Sequence, residues 1–239
     1  MIRVFLALLL FVTGGAAAMA QQSPQEPVAK GGYQYQLYVP ADHDADAARR
    51  WPVIVFLHGS GERGDDVTRV KVHGIPKVVE RPGETHPYIA VSPLLPADED
   101  WDFARLGAIL DHVQRRFRTD PDRVYLTGLS RGGRGAWRWA AAEPGRFAAI
   151  APVSGGGDLA KSCALKAMPI WAFHGDRDNI VPVRETFESV EAVRACGGTP
   201  RLTIYPDTGH DGWTPTYDNP ELYTWLLAQR RAAPDQDQK

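Results

Sequence analysis

The sequence predicts an α/β fold, a mostly parallel sheet with helices on both faces. After Trp51, segments rich in β-branched residues alternate with segments whose apolar residues have helical spacing, an order typical of parallel strands joined by helices. Residues 52–57 form a continuous apolar run, as in a strand buried on both faces. The chain has 239 residues, 44% of them hydrophobic, and shows no internal repeat or linker. These observations favour one domain, which we place at residues 33–231.

The individual elements follow from local patterns. Residues 33–40 alternate between apolar and polar side chains, which predicts an antiparallel edge strand. Residues 103–117 carry apolar side chains at helical spacing, and Asp102 stands where a helix N-cap is expected. Further strands are predicted at 52–57, 88–92, 124–127, 147–153, 169–173 and 201–205, and further helices before Glu143-Pro144-Gly145, at 184–195 and at about 219–231.

The N-terminus has the pattern of a secretory signal peptide. Arg3 supplies a positive charge, residues 4–12 form a short apolar region, and Ala18-Met19-Ala20 is an A-x-A cleavage site. An uncleaved membrane anchor is the alternative, but the apolar stretch is barely long enough to span a bilayer. We therefore expect a signal peptide at residues 1–20, export to the periplasm or the medium without stable membrane association, a flexible tail at residues 21–32 and a loose C-terminal tail at residues 232–239.

Charge and composition exclude several classes of partner. The net charge is −2 at pH 7, and no basic stripe is present that could release counterions from phosphates, so we expect no nucleic-acid partner. The histidines are scattered, and neither an H-E-x-x-H motif nor paired C-x-x-C motifs occur. We therefore expect neither a metal nor another cofactor. The oligomeric state stays open at this point.

A short glycine-rich segment, Gly128-Leu129-Ser130-Arg131-Gly132, carries the strongest indication of chemistry. It follows an apolar β-prone run and precedes an Ala-rich helical segment. This order is typical of a nucleophile elbow, a sharp strand-to-helix turn that presents a serine hydroxyl above a sheet. A side chain at Gly128 or Gly132 would collide across so tight a turn. A glycine-rich loop that merely contains a serine is the alternative, and the flanking elements argue against it.

A serine hydroxyl is a weak nucleophile at neutral pH and needs a nearby base. Two histidines follow Ser130 in the chain. His210 is the better candidate because it lies in a glycine-flanked loop directly after the last strand, whereas His174 ends a strand and is better explained as a buried core histidine. Since a protonated imidazole cannot accept the serine proton, activity is expected to fall at acid pH.

The base in turn needs an acceptor that orients it. In sheets with this elbow the acid lies between the serine and the histidine in the chain, and the loop after the strand at 169–173 contains two aspartates. Asp178 is the candidate acid, and Asp176 is the competitor, with a turn-forming role as its alternative. Asp211 adjoins the base and is poorly placed to accept its Nδ1–H, and Asp207 is better explained as a loop residue.

The negative charge of a tetrahedral intermediate needs fixed hydrogen-bond donors. The backbone N–H of Arg131 follows the serine at a helix N-terminus, where the helix dipole favours an anion. A second donor is expected from the loop after Leu57-His58-Gly59, with the N–H of Ser60 as the first choice and that of Gly61 as the second. A phosphate cradle is the alternative for this loop, but the loop lacks the Lys-Ser/Thr of a P-loop.

Four motifs in this order resemble those of the α/β-hydrolase superfamily, namely Leu57-His58-Gly59-Ser60-Gly61-Glu62-Arg63-Gly64, Gly128-Leu129-Ser130-Arg131-Gly132-Gly133, His174-Gly175-Asp176-Arg177-Asp178 and Gly209-His210. Within it, the chain is similar to exported esterases and predicted peptidases related to phospholipase/carboxylesterases, dienelactone hydrolases and polyhydroxybutyrate depolymerases. The resemblance covers residue 33 to about residue 231. It implies Ser130 as nucleophile, Asp178 as acid and His210 as base, with oxyanion donors at Ser60 and Arg131. It does not identify the substrate.

The sequence also bears on the substrate pocket. Many lipases of this fold carry a large lid between two late strands, but here only about fifteen residues separate the strand ending at 153 from the one beginning near 169. We therefore expect an open, shallow site without a large lid. Trp101 and Trp213 are candidates for an aromatic wall, and ordinary core packing is the alternative for both.

The two cysteines of the chain, Cys163 and Cys196, both fall at the end of the sheet away from the serine. Export makes a disulfide possible, and the bond would close a loop of 33 residues. A structural disulfide is therefore the hypothesis, and two unpaired core cysteines are the alternative.

These observations together predict an exported serine hydrolase that cleaves carboxylic esters through a Ser-His-Asp triad and an acyl-enzyme. The substrate would be a small-molecule or polymer-linked ester. A serine peptidase that uses the same acyl-enzyme is the first alternative. Acyl transfer to an alcohol and a non-catalytic binding module on the same fold are the others.

Overall fold

The computed structural model describes residues 21–231, so the predicted signal peptide at 1–20 and tail at 232–239 lie outside the described residues. The strands are β1 (Gln21–Gln25), β2 (Tyr35–Val39), β3 (Trp51–Leu57), β4 (Ile89–Pro93), β5 (Thr119–Leu129), β6 (Ala149–Val153), β7 (Trp171–Gly175) and β8 (Arg201–Tyr205). The α-helices are α1 (Gly74–Val78), α2 (Phe103–Arg116), α3 (Arg131–Ala142), α4 (Val183–Ala195), α5 (Trp213–Tyr217) and α6 (Pro220–Ala228). Short 3₁₀ helices occupy Ser60–Glu62, Val67–Val72 and Leu159–Leu165.

The eight strands form one sheet in the order β1-β2-β4-β3-β5-β6-β7-β8. Strand β2 is antiparallel to both of its neighbours, and all pairs from β4 to β8 are parallel. The predicted α/β fold with a mostly parallel sheet is therefore confirmed. In such a sheet the carboxyl ends of the parallel strands meet at one edge, where ligands bind.

The predicted flexible tail at 21–32 is wrong for its first five residues. Residues 21–25 form β1, which pairs with 35–39, so β2 is the second strand of the sheet and not its edge. The side-chain amide of Gln22 donates to the backbone oxygen of Pro76 at 3.2 Å. Strand β1 is held by backbone pairing and such polar contacts, and its sequence lacks the apolar alternation from which a strand is predicted. Pro24 is tolerated because β1 is an edge strand.

The core lies in two layers, one on each face of the sheet. Along β3 the side chains alternate, so that Val53 and Val55 pack in one layer while Ile54 and Phe56 pack in the other. Helices α2, α3 and α4 supply the first layer, and α1, α5 and α6 supply the second. Strand β3 is buried along its whole length, as the continuous apolar run predicted.

The start of α2 follows from a local sequence signal, whereas the end of α6 depends on contacts with a distant strand. Helix α2 begins after Asp102, whose side chain accepts a hydrogen bond from Arg105 N at 3.1 Å, as predicted. The last helix ends at 228 instead of 231, because the chain there turns back onto β5. Tyr125 Oη donates to Gln229 O at 2.9 Å, and Arg231 N donates to Asp122 O at 2.9 Å. No helix within residues 21–231 combines the length and apolar character needed to cross a bilayer.

A disulfide joins Cys163 to Cys196, with a Cα–Cα distance of 5.2 Å. Cys163 lies in the 3₁₀ helix Leu159–Leu165, and Cys196 caps the C-terminus of α4. The bond therefore ties the connection between β6 and β7 to the end of α4 that precedes β8. A short 3₁₀ helix is the regular structure in that connection, and it contains no large insertion.

His58 is a fully buried side chain at the end of β3. Its Nδ1 lies 2.7 Å from Gly59 O, and Leu95 N donates to its Nε2 at 2.9 Å. A carbonyl oxygen can only accept, so the neutral ring carries its proton on Nδ1. Burial lowers the pKa of His58 to about 4, against the partial compensation of the Gly59 bond. The ring thus joins the loop after β3 to the loop after β4 in an uncharged state.

Reduction of the disulfide is expected to lower the free energy of unfolding by about 3–4 kcal/mol, because the bond closes a segment of 33 residues. Urea unfolding with and without a reductant measures the difference. The double variant Cys163→Ser, Cys196→Ser is the control, and its midpoint should not respond to reductant. Equal stability of the oxidised and reduced wild-type protein would contradict the prediction.

His58 should also make stability depend on pH. Its pKa of about 4 in the folded state lies below its ordinary value of 6.5, so the unfolded chain binds the proton more readily. The contribution of the neutral His58 ring to the free energy of unfolding is complete above pH 6.5. It decreases by about 3 kcal/mol as the pH falls from 6.5 towards 4. Urea unfolding at pH 7 and pH 4.5 should show a smaller loss in His58→Gln than in the wild type. His112→Gln, on α2, is the matched control and should keep the wild-type loss.

Candidate active site

Ser130 forms the turn between β5 and α3 with φ 53° and ψ −115°, a conformation that L-residues rarely adopt. Its N–H donates to Val153 O at 2.9 Å, and its carbonyl accepts from Arg134 N at 3.0 Å, so the strained turn is held on both sides. A Cβ on Gly132 would overlap the carbonyl of Leu57, and one on Gly128 would approach Gly132 O to 2.5 Å. The two glycines therefore permit the close approach of α3 to β3 that defines the elbow.

The imidazole of His210 bridges two groups that are distant in the sequence. His210 lies in the loop between β8 and α5, and its Nε2 is 2.9 Å from Ser130 Oγ. Its Nδ1 is 2.6 Å from Asp178 Oδ2. Because a carboxylate can only accept, Nδ1 carries the proton, and Nε2 is free to accept the hydrogen bond that Ser130 Oγ–H donates. The loop is held by Ser154 Oγ, which donates to His210 O at 3.2 Å.

Asp178 follows β7 and has a buried carboxylate. Its Oδ1 accepts from the N–H groups of Ile180 and Val181, each at 2.9 Å. Burial would raise the pKa of Asp178, but the hydrogen bond with His210 and the backbone N–H groups of Val181 and Ile180 outweigh burial and lower the pKa below its usual value. The carboxylate is therefore ionised at neutral pH.

The competing residues lie elsewhere. Asp176 accepts from Thr208 N at 3.3 Å, Asp211 accepts from Thr214 N at 2.9 Å beside α5, and Asp207 pairs with Arg177 at the surface. His174 is fully buried at the end of β7, with Nε2 3.0 Å from Asp178 Oδ2. Within residues 21–231, His210 is the imidazole that reaches Ser130, and Asp178 is the carboxylate that reaches His210.

The two predicted oxyanion donors belong to two neighbouring segments, the N-terminus of α3 and the loop after β3. Arg131 begins α3, so its N–H has no acceptor within the helix and lies at the positive end of the helix dipole. Ser60 begins the turn Ser60–Glu62 after β3, and Arg131 Nε donates to Ser60 Oγ at 2.9 Å. A Cβ built on Gly59 would lie 3.6 Å from Ser130 Cβ, which shows how closely this loop approaches the serine.

A cavity of about 530 Å³ opens over Ser130. Trp213 lines it and packs edge-on against His210, with ring centroids 5.0 Å apart. Trp101, in contrast, does not line this cavity, so its expected place in the aromatic wall is wrong. It is buried behind the loop after β3, where it packs edge-on against His58 at 5.1 Å and Tyr33 at 6.0 Å. Within the described part of the chain, no cluster of three or more potential metal ligands occurs.

The cavity wall contains charged side chains that were not predicted from the sequence. Arg131, Arg134 and Arg138 project from one side of α3, and their spacing of three and four residues was the available signal. Arg134 pairs with both carboxylate oxygens of Glu185 on α4, at 2.8 Å each, and Arg138 Nη1 donates to Asp100 Oδ2 at 2.9 Å. The apolar residue Ile180 also lines the cavity and is 68% exposed.

Comparison with known proteins identifies the family of this chain. The dienelactone hydrolase family matches residues 94–221, more than half of the chain. The chain is 32% identical over 145 residues to the putative esterase NocK of Nocardia uniformis subsp. tsuyamanensis, a match that covers 55% of this chain and 41% of NocK. The chain thus spans less than half the length of that relative.

Solved structures agree with the fold. The crystal structure of a thermostable esterase has a TM-score of 0.74 and 31% sequence identity, and the match covers 90% of this chain and 64% of that one. The acylaminoacyl peptidase of Pyrococcus horikoshii has a TM-score of 0.65 at 13% identity, covering 91% of this chain and 43% of that one, which shows a shared fold alone. The resemblance predicted from the four motifs is confirmed: this chain has the α/β-hydrolase fold and belongs to the dienelactone hydrolase family.

Proposed function

We propose that the chain is an exported serine hydrolase that cleaves carboxylic esters, with Ser130 as nucleophile, His210 as base and Asp178 as acid. The observation that carries the proposal is the unbroken series of hydrogen bonds from Ser130 Oγ through the imidazole of His210 to Asp178 Oδ2, at 2.9 and 2.6 Å. Membership in the dienelactone hydrolase family and the esterases among its relatives support an ester as the substrate.

In the first half of the reaction, Ser130 Oγ attacks the ester carbonyl carbon while His210 Nε2 takes the hydroxyl proton. The carbonyl electron pair moves to the oxygen, whose negative charge the N–H groups of Arg131 and Ser60 would stabilise. When the intermediate collapses, the bond to the alcohol oxygen breaks and His210 gives its proton to the leaving alcohol. An acyl-enzyme on Ser130 remains.

In the second half, water attacks the acyl carbon and His210 Nε2 accepts a proton from it. Collapse of this intermediate breaks the bond to Ser130 Oγ, which regains a proton from His210, and the carboxylic acid is released. Asp178 stays ionised throughout, because four hydrogen-bond donors surround its two carboxylate oxygens. Its charge stabilises the imidazolium that forms in each half.

The cavity limits the substrate class. It is bounded by an apolar rim at Ile180 and Trp213 and by arginines that are already paired with Asp100 and Glu185. The connection between β6 and β7 supplies a short 3₁₀ helix there and no large insertion. These features favour short or exposed acyl groups on a small-molecule or polymer-linked ester over long-chain lipids.

A peptide bond is the alternative target, because the fold is shared with an acylaminoacyl peptidase and the same acyl-enzyme would serve. Ester and peptide hydrolysis differ in the leaving group, which is an alcohol in the first and an amine in the second. Acyl transfer to an alcohol would also pass through this acyl-enzyme, whereas a non-catalytic binding module would form none. Covalent labelling by a fluorophosphonate probe would distinguish a non-catalytic binding module from the esterase, the peptidase and the acyltransferase.

Replacement Ser130→Ala is expected to lower kcat for an aryl acetate by at least about 10³-fold, since the group that forms the acyl-enzyme is lost. The variant should also lose fluorophosphonate labelling while its thermal unfolding stays close to that of the wild type. Ser23→Ala, on β1 far from the site, is the control and should retain both activity and labelling. Turnover in Ser130→Ala at the wild-type rate would rule out the proposed mechanism.

An aryl ester is expected to react faster than an aryl amide. We expect kcat/KM for an aryl acetate to exceed that for an aminoacyl anilide by at least about 10²-fold, a difference in activation free energy of roughly 3 kcal/mol. Both rates should be measured on wild type and on Ser130→Ala, which corrects for reaction outside the site. A higher value for the anilide would favour the peptidase.

A further inference from the structure

We infer that His174 is a positioning residue that holds the carboxylate of Asp178 in place for His210. This inference rests on the proposed function, because it concerns the same triad. His174 lies at the end of β7, one turn of loop before Asp178, and its side chain is completely buried. It does not contact the serine, and it would act through Asp178.

The contacts of His174 define which of its nitrogens carries the proton. Its Nε2 lies 3.0 Å from Asp178 Oδ2 and 2.9 Å from Val181 O, and both atoms can only accept. Nε2 must therefore carry a hydrogen. Its Nδ1 lies 2.7 Å from Thr186 Oγ1, a hydroxyl that can donate to it. The neutral ring with Nε2–H satisfies all three contacts and places no buried positive charge beside the triad.

The hydroxyl of Thr186 is available for this role. Thr186 Oγ1 is also 3.0 Å from Gly155 O, but that carbonyl already accepts from Trp137 Nε1 at 3.0 Å. The carbonyl of Gly155 thus keeps a donor when the Thr186 hydroxyl points at His174. The resulting series of contacts runs from α3 through Gly155 and Thr186 on α4 to His174 and ends on Asp178. It joins the helix that follows the nucleophile to the acid.

The effect on the triad follows from the geometry at Asp178. Its Oδ1 is fixed by two backbone N–H groups, and its Oδ2 accepts from both His210 Nδ1 and His174 Nε2. The N–H of His174 determines where Oδ2 can lie and withdraws negative charge from it. Without this donor, Oδ2 would be free to shift and would bind a protonated His210 more strongly.

A loss of packing alone would have a different consequence. It would lower the amount of active enzyme without changing the protonation of the base. Loss of the donor should instead move the acid limb of the pH–rate profile to higher pH. The other charged or titratable groups around the triad stay the same in the variants below, namely Glu62 and Arg134 in the cavity wall, Glu185 on α4, His73 beyond Trp213, and Asp211 in the loop of His210.

The first test measures the protonation of the ring in the wild-type protein and uses one variant, His174→Gln, to assign its signals. Long-range ¹H–¹⁵N spectra of the imidazole rings at pH 7–8 report which nitrogen of each histidine is protonated. We expect His174 to show a protonated Nε2 and an unprotonated Nδ1, with the assignment made by comparison with His174→Gln. A ring protonated on Nδ1 alone would overturn the inference.

The second test compares three substitutions at this position. His174→Gln keeps an amide N–H near the position of Nε2, whereas His174→Asn places its amide near Nδ1 and His174→Phe has no polar atom. For an aryl acetate we expect kcat to fall about tenfold or more in the Asn and Phe variants, with KM changed less than about threefold. The acid limb should move up by about half a pH unit in both. His174→Gln should recover most of kcat and the wild-type limb.

Three results would overturn the inference: wild-type kinetics in the Phe variant, a lower kcat with an unmoved acid limb, or a Gln variant as impaired as the Asn variant. Ser130→Ala in the same assay separates this failure from that of the proposed function. If Ser130→Ala is inactive while the His174 variants behave like the wild type, the triad stands and the role of His174 falls. If Ser130→Ala is active, both fall.

Discussion

The arrangement of the site depends on the close approach of α3 to the end of β3. Gly132 packs directly against the carbonyl of Leu57, and a single added methyl group would overlap that oxygen. This contact brings the N-terminus of α3 beside the loop that contains Ser60, and Ser130 has a positive φ in the turn that leads into the helix. A sheet and a helix thus meet at a distance that only glycine allows, and the nucleophile and both proposed oxyanion donors obtain their positions from it.

A second constraint is the complete hydrogen bonding of a buried carboxylate. Asp178 has no exposed side-chain surface, and an ionised carboxylate in such a place is tolerated only when its oxygens are satisfied. Two backbone N–H groups and two imidazoles supply the donors. The same bonds that make the charge tolerable also orient His210, so the stability of this loop and the geometry of the base have one physical origin. The imidazole of His58 is also buried, but it is tolerated for another reason: burial lowers its pKa and keeps the ring neutral.

Parts of this picture could be predicted from the sequence because their signals are local. The continuous apolar run of β3, the cap at Asp102 and the strand-turn-helix order around Ser130 each occupy a few consecutive residues. Ser130, Asp178 and His210 could be expected at one edge of the sheet because loops leave the carboxyl ends of parallel strands there. Trp101 could not be placed in the same way. Whether a tryptophan lines a cavity or packs behind it depends on neighbours such as Tyr33 and His58, which lie far away in the sequence.

The sequence by itself determined the α/β class, the elements of the sheet after Trp51 and the residues that could form a hydrolytic site. Each of these follows from periodicity, turn residues or motifs within short segments of the chain. Only the tertiary structure decided that residues 21–25 extend the sheet, that three arginines of α3 line the cavity in paired form, and that His174 touches Asp178 and not Ser130. Each of these depends on contacts between segments that are brought together only when the chain has folded. Local patterns carry no information about such distances.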